Sequence, residues 1–554
     1  MNVGRRVLIV GGVAGGASCA ARLRRLDESA EIIILERGPF VSFANCGLPY
    51  HVGDVIPEEG KLLLASPALF RDRFNITVRT GHEVIAIDRP RRVATVKQVA
   101  TGALSEEAYD ALVLSPGATP IRPPIPGIDL PGIFSIRTIP DARQVRAWIT
   151  EHHAKRALIV GGGFIGLEMA ENLVHRGLSV TIVEKAAQLM PPLDPEVAAP
   201  VRERLESKGV SLRLGDAVTA FRQAGRAIVA TSERGAELSA DLVILAIGVR
   251  PETTLAKTAG LAIGTSGGIA VDAAMRTSDP AIWAVGDAVE SVEVTTGLKL
   301  VLPLAGPANR QGRVAAEAIA GRTTNFRGVQ ATSVCGAFGL TIASTGASEK
   351  LLKRAGVSDY EVVYLHPGQH VGYYPGAKPI HLKLLYRKTD GRVLGAQAVG
   401  EDGVDKRIDV IAMAIQLGGT IHDLAEAELC YAPQYGAAKD PVNFAGFIAE
   451  NQLNGDAPAA AWDGLGSDGR IVLDVREPAE TAKGTVPCAT LIPLNQLRQR
   501  WNELPADRPI AVLCAAGQRA YYAVRQLRQH GLDARGLAGG WATWQQRQAG
   551  QRSG

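Results

Sequence analysis

The run "RRVLIVGGVAGGASCAARLRRL", followed by "EIIILER", is echoed later in the chain by "KRALIVGGGFIGLEMAENLVHRG" and "SVTIVEK". Each copy reads as an aliphatic strand, a glycine turn, a helix and a second strand ending in an acid. A chain that makes this unit twice is committed to parallel sheets covered by helices, because a strand–helix–strand crossover joins parallel strands. The alternation continues from residue 5 to about 325, so the expected fold class is α/β with two Rossmann-like domains.

In such a unit glycines let the backbone approach a pyrophosphate, the helix N-terminus stabilises its charge, and the closing acid accepts hydrogen bonds from a ribose. Gly161, Gly163 and Gly166 match G-x-G-x-x-G, and Glu184 is the acid. This copy is expected to bind a dinucleotide. The Glu184 carboxylate would repel a 2′-phosphate and no arginine follows it immediately, which favours NADH and leaves NADPH as the alternative. In the first copy Gly11 and Gly16 hold the outer positions, Val13 takes the middle one, and Glu36 closes the second strand. "VLSPGATP" then leads a strand into a glycine crossover. "TSDPAIWAVGDAVE" sets Asp287 after a strand and a glycine, where an aspartate can bind the ribityl or phosphate part of a flavin.

Beyond residue 330 the texture changes to shorter strands ("HLKLLYRK", "VLGAQAVG") and a helix ("DVIAMAIQLGG"), the mark of an α+β domain. "ENQLNGDAPAAAW" has linker composition, and "RIVLDVRE" with "PIAVLCAAGQR" opens a small fourth α/β domain. The expected boundaries are 1–120 with 251–325, 121–250, 326–447, a linker at 448–462, and 463–554. A length of 554 residues accommodates them. A net charge of +4 gives no general attraction to nucleic acid or membrane. No segment offers the apolar run of a membrane span, and the N-terminal apolar stretch breaks into glycines instead of continuing as a signal peptide. Six scattered cysteines fit a reducing compartment. The expectation is a cytoplasmic protein with no nucleic-acid partner, no membrane partner and no metal site.

The stretch "FVSFANCGLPYHVG" places one cysteine, Cys46, just after the first unit. Together with the early glycine turn and the late "GD", it makes residues 5 to 445 resemble the pyridine nucleotide-disulfide oxidoreductases. The resemblance implies FAD in the first unit, contacted by Gly11, Gly12, Gly15, Gly16, Glu36, Arg37 and Asp287, NADH in the second, and a homodimer built through the 326–447 domain. Many relatives pair two cysteines beside the flavin; here the position five before Cys46 is Val41, so Cys46 works alone. It can cycle through a mixed disulfide, persulfide or sulfenic acid, with a low-pKa thiolate as the useful form.

"SFANCGLPY" is similar to the single-cysteine branch of coenzyme A-disulfide reductases, NADH oxidases and NADH peroxidases. The oxidase and peroxidase members carry a histidine in the first glycine turn; Ala14 stands there, which favours a thiol-type substrate. Ser18, Arg22 and Arg25, spaced by four and three, share a helix face. With Ser42 and Asn45 beside the thiol they match coenzyme A-contacting positions of the resembled reductases, and Lys439 is a further phosphate contact. In "CYAPQYGAAKDPVN", Tyr431 matches the tyrosine that this branch uses where glutathione reductases place a histidine acid-base. Tyr373 or Tyr374 of "HVGYYPG" supplies a second hydroxyl.

"CAAGQR", Cys514 to Arg519, follows a strand and precedes a helix. A loop whose N–H groups converge on sulfur stabilises a thiolate or persulfide, and Arg519 adds positive charge. With "LDVREPAE" and "LAGGWATW" it resembles the rhodanese domain. Cys19, Cys335, Cys430 and Cys488 lack such settings and are expected in cores. The expected activity is flavin-dependent reduction by NADH of coenzyme A disulfide, coenzyme A persulfide or polysulfide at Cys46, joined to a rhodanese sulfur carrier. The alternatives are an NADH oxidase or peroxidase, and a flavin-bearing sulfur sensor or carrier.

Overall fold

A computed structural model describes residues 4–465 and 467–551. The chain divides into two compact units, one made of the chain up to Val183 with Val210–Val329, the other of Glu184–Gly209 with the chain from Gln330 onward.

The first unit holds both dinucleotide-type sheets. Strands Ile282–Ala284, Ala111–Leu114, Arg6–Val10, Glu31–Glu36 and Thr77–Thr80 lie side by side in that order, all parallel. Their Val, Ile and Leu side chains are buried almost throughout, as a parallel sheet covered on both faces requires. The second sheet repeats the plan with Ser211–Leu214, Ser179–Glu184, Arg156–Val160, Leu242–Leu245 and Ile133–Phe134. Each half also carries a three-stranded antiparallel insertion, His82–Asp88 to Leu104–Ala108 and Val218–Ala224 to Glu237–Ala240. The strand Ala118–Pro120 pairs antiparallel with Val249–Pro251, where the chain leaves the first sheet and returns to it.

Helices Ala14–Arg24 and Ala305–Ile319 cross at two glycines. A Cβ on Gly312 would lie 2.3 Å from the Gly15 carbonyl oxygen, so only glycine permits this approach. The crossing sets Ser18 against Asn309 and Arg22 against Glu317.

In the second unit a five-stranded antiparallel sheet, ordered Ser333–Ala337, Leu340–Gly346, Val393–Gly400, Ile380–Tyr386, Glu361–Leu365, packs on helices Val404–Leu417 and Pro441–Leu453. The last domain is a parallel sheet ordered Ala459–Ala460, Ala534–Leu537, Ile510–Leu513, Ile471–Asp474, Ala489–Leu491. The architecture is the α/β assembly expected from sequence. Two boundaries differ. The linker expected at 448–462 is mostly ordered: the helix capped by Asp440 runs on to Leu453, and Ala459–Ala460 already belongs to the last sheet, leaving 454–458 between them. Glu184–Gly209, expected inside the 121–250 domain, clusters with the second unit.

The reason for the second difference is charge. Lys383, 1% exposed, sits on a central strand with its Nζ at 2.8 Å from Asp194, 2.5 Å from Glu196 and 2.5 Å from Glu349. Tyr364 donates to Glu196 at 2.6 Å and Tyr360 to Glu349 at 3.0 Å. The three carboxylates lie close enough together to hold a metal ion, but the ammonium occupies their centre. Ionised carboxylates are tolerable in this interior only with the cation present. Lys383→Met is therefore expected to destabilise the second unit by about 3–5 kcal/mol, seen as an earlier transition in thermal or urea unfolding; an unchanged transition would contradict this account. Among the described residues no helix is long and apolar enough to cross a membrane.

Candidate active site

The first glycine turn is built by close backbone contact. A Cβ on Gly11, at φ 91°, would lie 2.1 Å from the Ser115 oxygen, and one on Gly16 would lie 1.9 Å from the Gly11 oxygen. Gly15 faces Val285 and Ser115, and Gly12 faces Val41 and Ile34, leaving no room for larger residues. Glu36, at the end of its strand, accepts from Gly12 N at 2.9 Å and from Gly38 N at 2.8 Å. Its carboxylate therefore stands at the turn that would carry a pyrophosphate. Arg37 beside it is exposed.

Asp287 follows strand Ile282–Ala284 and Gly286, whose N–H donates to Gln311 at 2.8 Å. Burial raises the Asp287 pKa, and Arg137 opposes the rise from 3.6 Å. A tight glycine turn, a ribose-type acid and an enclosed carboxylate on the same sheet fit an FAD molecule. At the second turn a Cβ on Gly161 would meet the Ala246 oxygen at 2.3 Å and one on Gly166 the Gly161 oxygen at 2.1 Å, while Gly163 faces open space at the start of helix Phe164–His175. That opening at a helix N-terminus suits a dinucleotide phosphate. Glu184 ends the following strand and accepts from Ala186 N at 2.7 Å.

Cys46 lies in the short 3₁₀ turn Asn45–Gly47 ahead of helix Leu48–Val52, and it is exposed. The preceding loop is tied to the glycine turn through Ser42, a non-glycine residue at φ 46°, whose N–H donates to Gly12 O at 2.8 Å. Asn45, oriented by its hydrogen bonds, donates to Phe43 O and accepts from Arg137 Nη1 at 2.9 Å. Arg137 thus joins the thiol loop to Asp287. The Cys46 pKa is raised by desolvation first, then by the Glu168 and Asp287 carboxylates, against a lowering by Arg137. Arg137 is the side chain that favours the thiolate. Glu168, half-buried and with its pKa raised by desolvation, accepts from Tyr50 at 3.3 Å.

Next to the Cys46 loop a groove of about 380 Å³ is lined by Ser18, Arg22, Arg25, Ser42, Asn309 and Arg313, with Phe70 and Phe74 forming an apolar wall. Four of the six residues expected to meet substrate share it. Asn45 turns instead toward Arg137, and Lys439 is exposed in the second unit. Arg22 is not a free cation: its Nη2 lies 2.6 Å from Glu317, which also receives Arg313 at 3.3 Å. Sequence reasoning missed Arg137, Glu168, Asn309, Arg313 and Glu317. Each lies far along the chain from Cys46 or Arg22 and carries no local motif.

In the second unit the Tyr373 and Tyr431 hydroxyls are 2.9 Å apart, both on exposed residues. Tyr374 instead sets its ring edge-to-face on His370. Cys514 directly follows strand Ile510–Leu513, is 1% exposed, and its Sγ accepts from Gly517 N at 3.1 Å. Arg519 makes two 2.7 Å bonds to Glu480, whose pKa that pairing lowers to about 2. Much of the arginine's charge is thus matched by a carboxylate and is not directed at sulfur alone. Cys19 and Cys335 are buried as expected; Cys430 and Cys488 are exposed, against expectation. Their loops, unlike strands, present small side chains to solvent.

Two dinucleotide cradles with a single thiol on the loop beside the first define a flavin- and nicotinamide-dependent thiol oxidoreductase. The Cys514 loop adds a sulfurtransferase-type domain. The family model "Pyridine nucleotide-disulphide oxidoreductase" matches residues 5–312, its dimerisation domain 332–440, and the rhodanese-like domain 457–547. The chain belongs to the pyridine nucleotide-disulphide oxidoreductase family. It is 37% identical over 446 residues to the coenzyme A disulfide reductase of Staphylococcus epidermidis, covering 80% of this chain and 100% of that one. The structure of reduced Bacillus anthracis CoADR-RHD superposes with a TM-score of 0.96 at 46% identity, over 98% of both chains. The NAD-dependent persulfide reductase from A. fulgidus gives a TM-score of 0.90 at 38% identity, over 97% of this chain and 100% of that one.

Proposed function

We propose that this protein uses NADH to reduce the S–S bond of coenzyme A disulfide, coenzyme A persulfide or polysulfide at Cys46, working as a homodimer in the reducing cytoplasm, while Cys514 carries sulfane sulfur. It is a disulfide/persulfide oxidoreductase of the coenzyme A-disulfide reductase type with a rhodanese domain. The observation that carries the substrate assignment is the groove that joins three arginines and an apolar wall to Ser42 of the thiol loop. Arginines suit phosphate oxygens, and the phenylalanines suit the less polar parts of a coenzyme A molecule.

The Cys46 thiolate attacks one sulfur of the substrate. The S–S bond breaks, the leaving sulfur departs with the electron pair as a thiolate or hydrosulfide, and Cys46 is left in a mixed disulfide or persulfide. Tyr431, its hydroxyl held by Tyr373, is assigned the hydrogen bond or proton to the leaving sulfur. Two electrons from NADH then return Cys46 to the thiolate and release the second thiol from a mixed disulfide, or hydrosulfide from a persulfide. FAD, which the Gly11–Gly16 turn, Glu36 and Asp287 would hold, would supply the two-electron relay between NADH and sulfur. Arg137 holds Asn45 and so fixes the loop that presents Cys46.

Anaerobic NADH consumption with coenzyme A disulfide, coenzyme A persulfide and polysulfide, set against peroxide, and against oxygen in air, tests the reading. Turnover confined to oxygen or peroxide would overturn it. Arg22→Ala is expected to raise KM for coenzyme A substrates by about 10- to 100-fold, the loss of one charge-assisted hydrogen bond, and to leave inorganic polysulfide nearly unaffected. Glu317 keeps Arg313 as a partner in that variant. An equal loss on both substrates would sink the phosphate role.

A further inference from the structure

A buried polar chain joins the last domain to the antiparallel sheet of the second unit, beside the packing of helix Gly540–Gln551 on helix Pro195–Ser207. Thr543, 0% exposed, lies in the first turn of helix Gly540–Gln551, and its Oγ1 is 2.8 Å from His366 Nε2. His366 Nδ1 is in turn 2.7 Å from His381 Nδ1, so one ring donates and the other accepts. Burial lowers the pKa of both rings, which keeps the pair neutral and the bond intact. Tyr364, two residues before His366 in the chain, donates to Glu196, which is paired with Lys383.

The same helix turn grips the sulfur loop. Trp541 N donates to the Cys514 carbonyl at 2.7 Å and Ala542 N to that of Ala515 at 3.0 Å. The two glycines before it are demanded by the fit. A Cβ on Gly540 would lie 2.4 Å from the Cys514 oxygen; one on Gly539 would lie 2.8 Å from Tyr364 Cβ and 2.9 Å from His366 Nε2. The Gly-Gly of "LAGGWATW" is therefore the point where loop, helix and antiparallel sheet meet.

We propose that Thr543 and His366 are positioning residues for Cys514: their hydrogen bond seats the helix on the dimerisation sheet, and the seated turn holds the sulfur loop in one orientation for relay. The rhodanese domain is then a docked sulfur donor and not a module swinging on a tether. The inference rests on the reading of Cys514 as the sulfur carrier.

The test uses the full-length holoenzyme with Thr543→Val, which keeps shape and loses the hydroxyl, Thr543→Ser, which keeps it, His366→Leu, and the Val/Leu double variant. Three quantities are read: iodoacetamide labelling of Cys514 by peptide mass spectrometry, NADH-coupled reduction with a sulfane donor plus coenzyme A, and reduction of coenzyme A disulfide. Thr543→Val and His366→Leu are each expected to speed Cys514 labelling severalfold and slow the relay about tenfold. Coenzyme A disulfide reduction should stay parental, Thr543→Ser should match the parent, and the double variant should be no worse than either single one. Parental labelling and relay in Thr543→Val, an equal loss of coenzyme A disulfide reduction, or fully additive losses in the double variant would overturn the proposal. The labelling result stands whatever Cys514 does in turnover, so failure of the carrier reading is told apart from failure of the docking.

Discussion

Cys46→Ser is expected to bind FAD and to accept electrons from NADH at the parental rate, yet to lose turnover of coenzyme A disulfide and persulfide by at least about a thousandfold. The separation follows from placement. The glycine turns, Glu36, Asp287 and Gly163 that fit the two dinucleotides lie on the sheets and helix starts, whereas Cys46 lies on its own loop after the first unit. A serine hydroxyl neither attacks an S–S bond usefully nor accepts electrons as a disulfide. Stopped-flow bleaching of the flavin by NADH and steady-state NADH oxidation are the paired measurements. Near-parental turnover in Cys46→Ser would remove this thiol from the mechanism, and loss of flavin bleaching would show that the substitution had damaged the cofactor site instead.

The second large effect concerns Cys514. Cys514→Ser should abolish sulfur transfer from a persulfide or polysulfide donor and slow reduction of any substrate that needs sulfur relayed, while sparing coenzyme A disulfide. In the proposed relay, Cys514 forms a persulfide by taking one sulfur atom from the donor and then passes that atom to a coenzyme A thiol, giving the persulfide that Cys46 cleaves. Serine cannot hold the transferred sulfur. Its loop geometry, with Gly517 N aimed at the side-chain atom, accommodates a hydroxyl without disturbance. Assay on both substrate types decides the matter. Parental rates on every reductase substrate would make the last domain an independent activity and end the relay idea.

Much of this molecule is local and so can be read along the chain. The two strand–turn–helix units, their closing acids Glu36 and Glu184, and the sulfur loop at Cys514 each occupy one continuous segment. Their periodicity and glycine spacing leave few alternatives. Helical spacing puts Ser18, Arg22 and Arg25 on one face, and their link to substrate is what the family resemblance implies. The end of the helix before the linker is not legible for the complementary reason. "ENQLNGDAPAAAW" has loop composition, but the packing of Pro441–Leu453 against the antiparallel sheet carries the helix into it.

What the sequence by itself determined is therefore the fold class, the two dinucleotide units, the lone thiol and the sulfur loop, since each depends on neighbours in the chain. Only the tertiary structure decided how their charges are matched. Arg137 bridges Asn45 and Asp287, Glu317 holds Arg22, Lys383 gathers the 184–209 segment into the second unit, and His366 meets Thr543. Each of these pairs is remote in sequence, and nothing in composition or period tells a buried charge which partner it will find. Desolvation does: an ionised or polar group removed from water must be paired where the fold puts it, so those contacts exist only once the chain has packed.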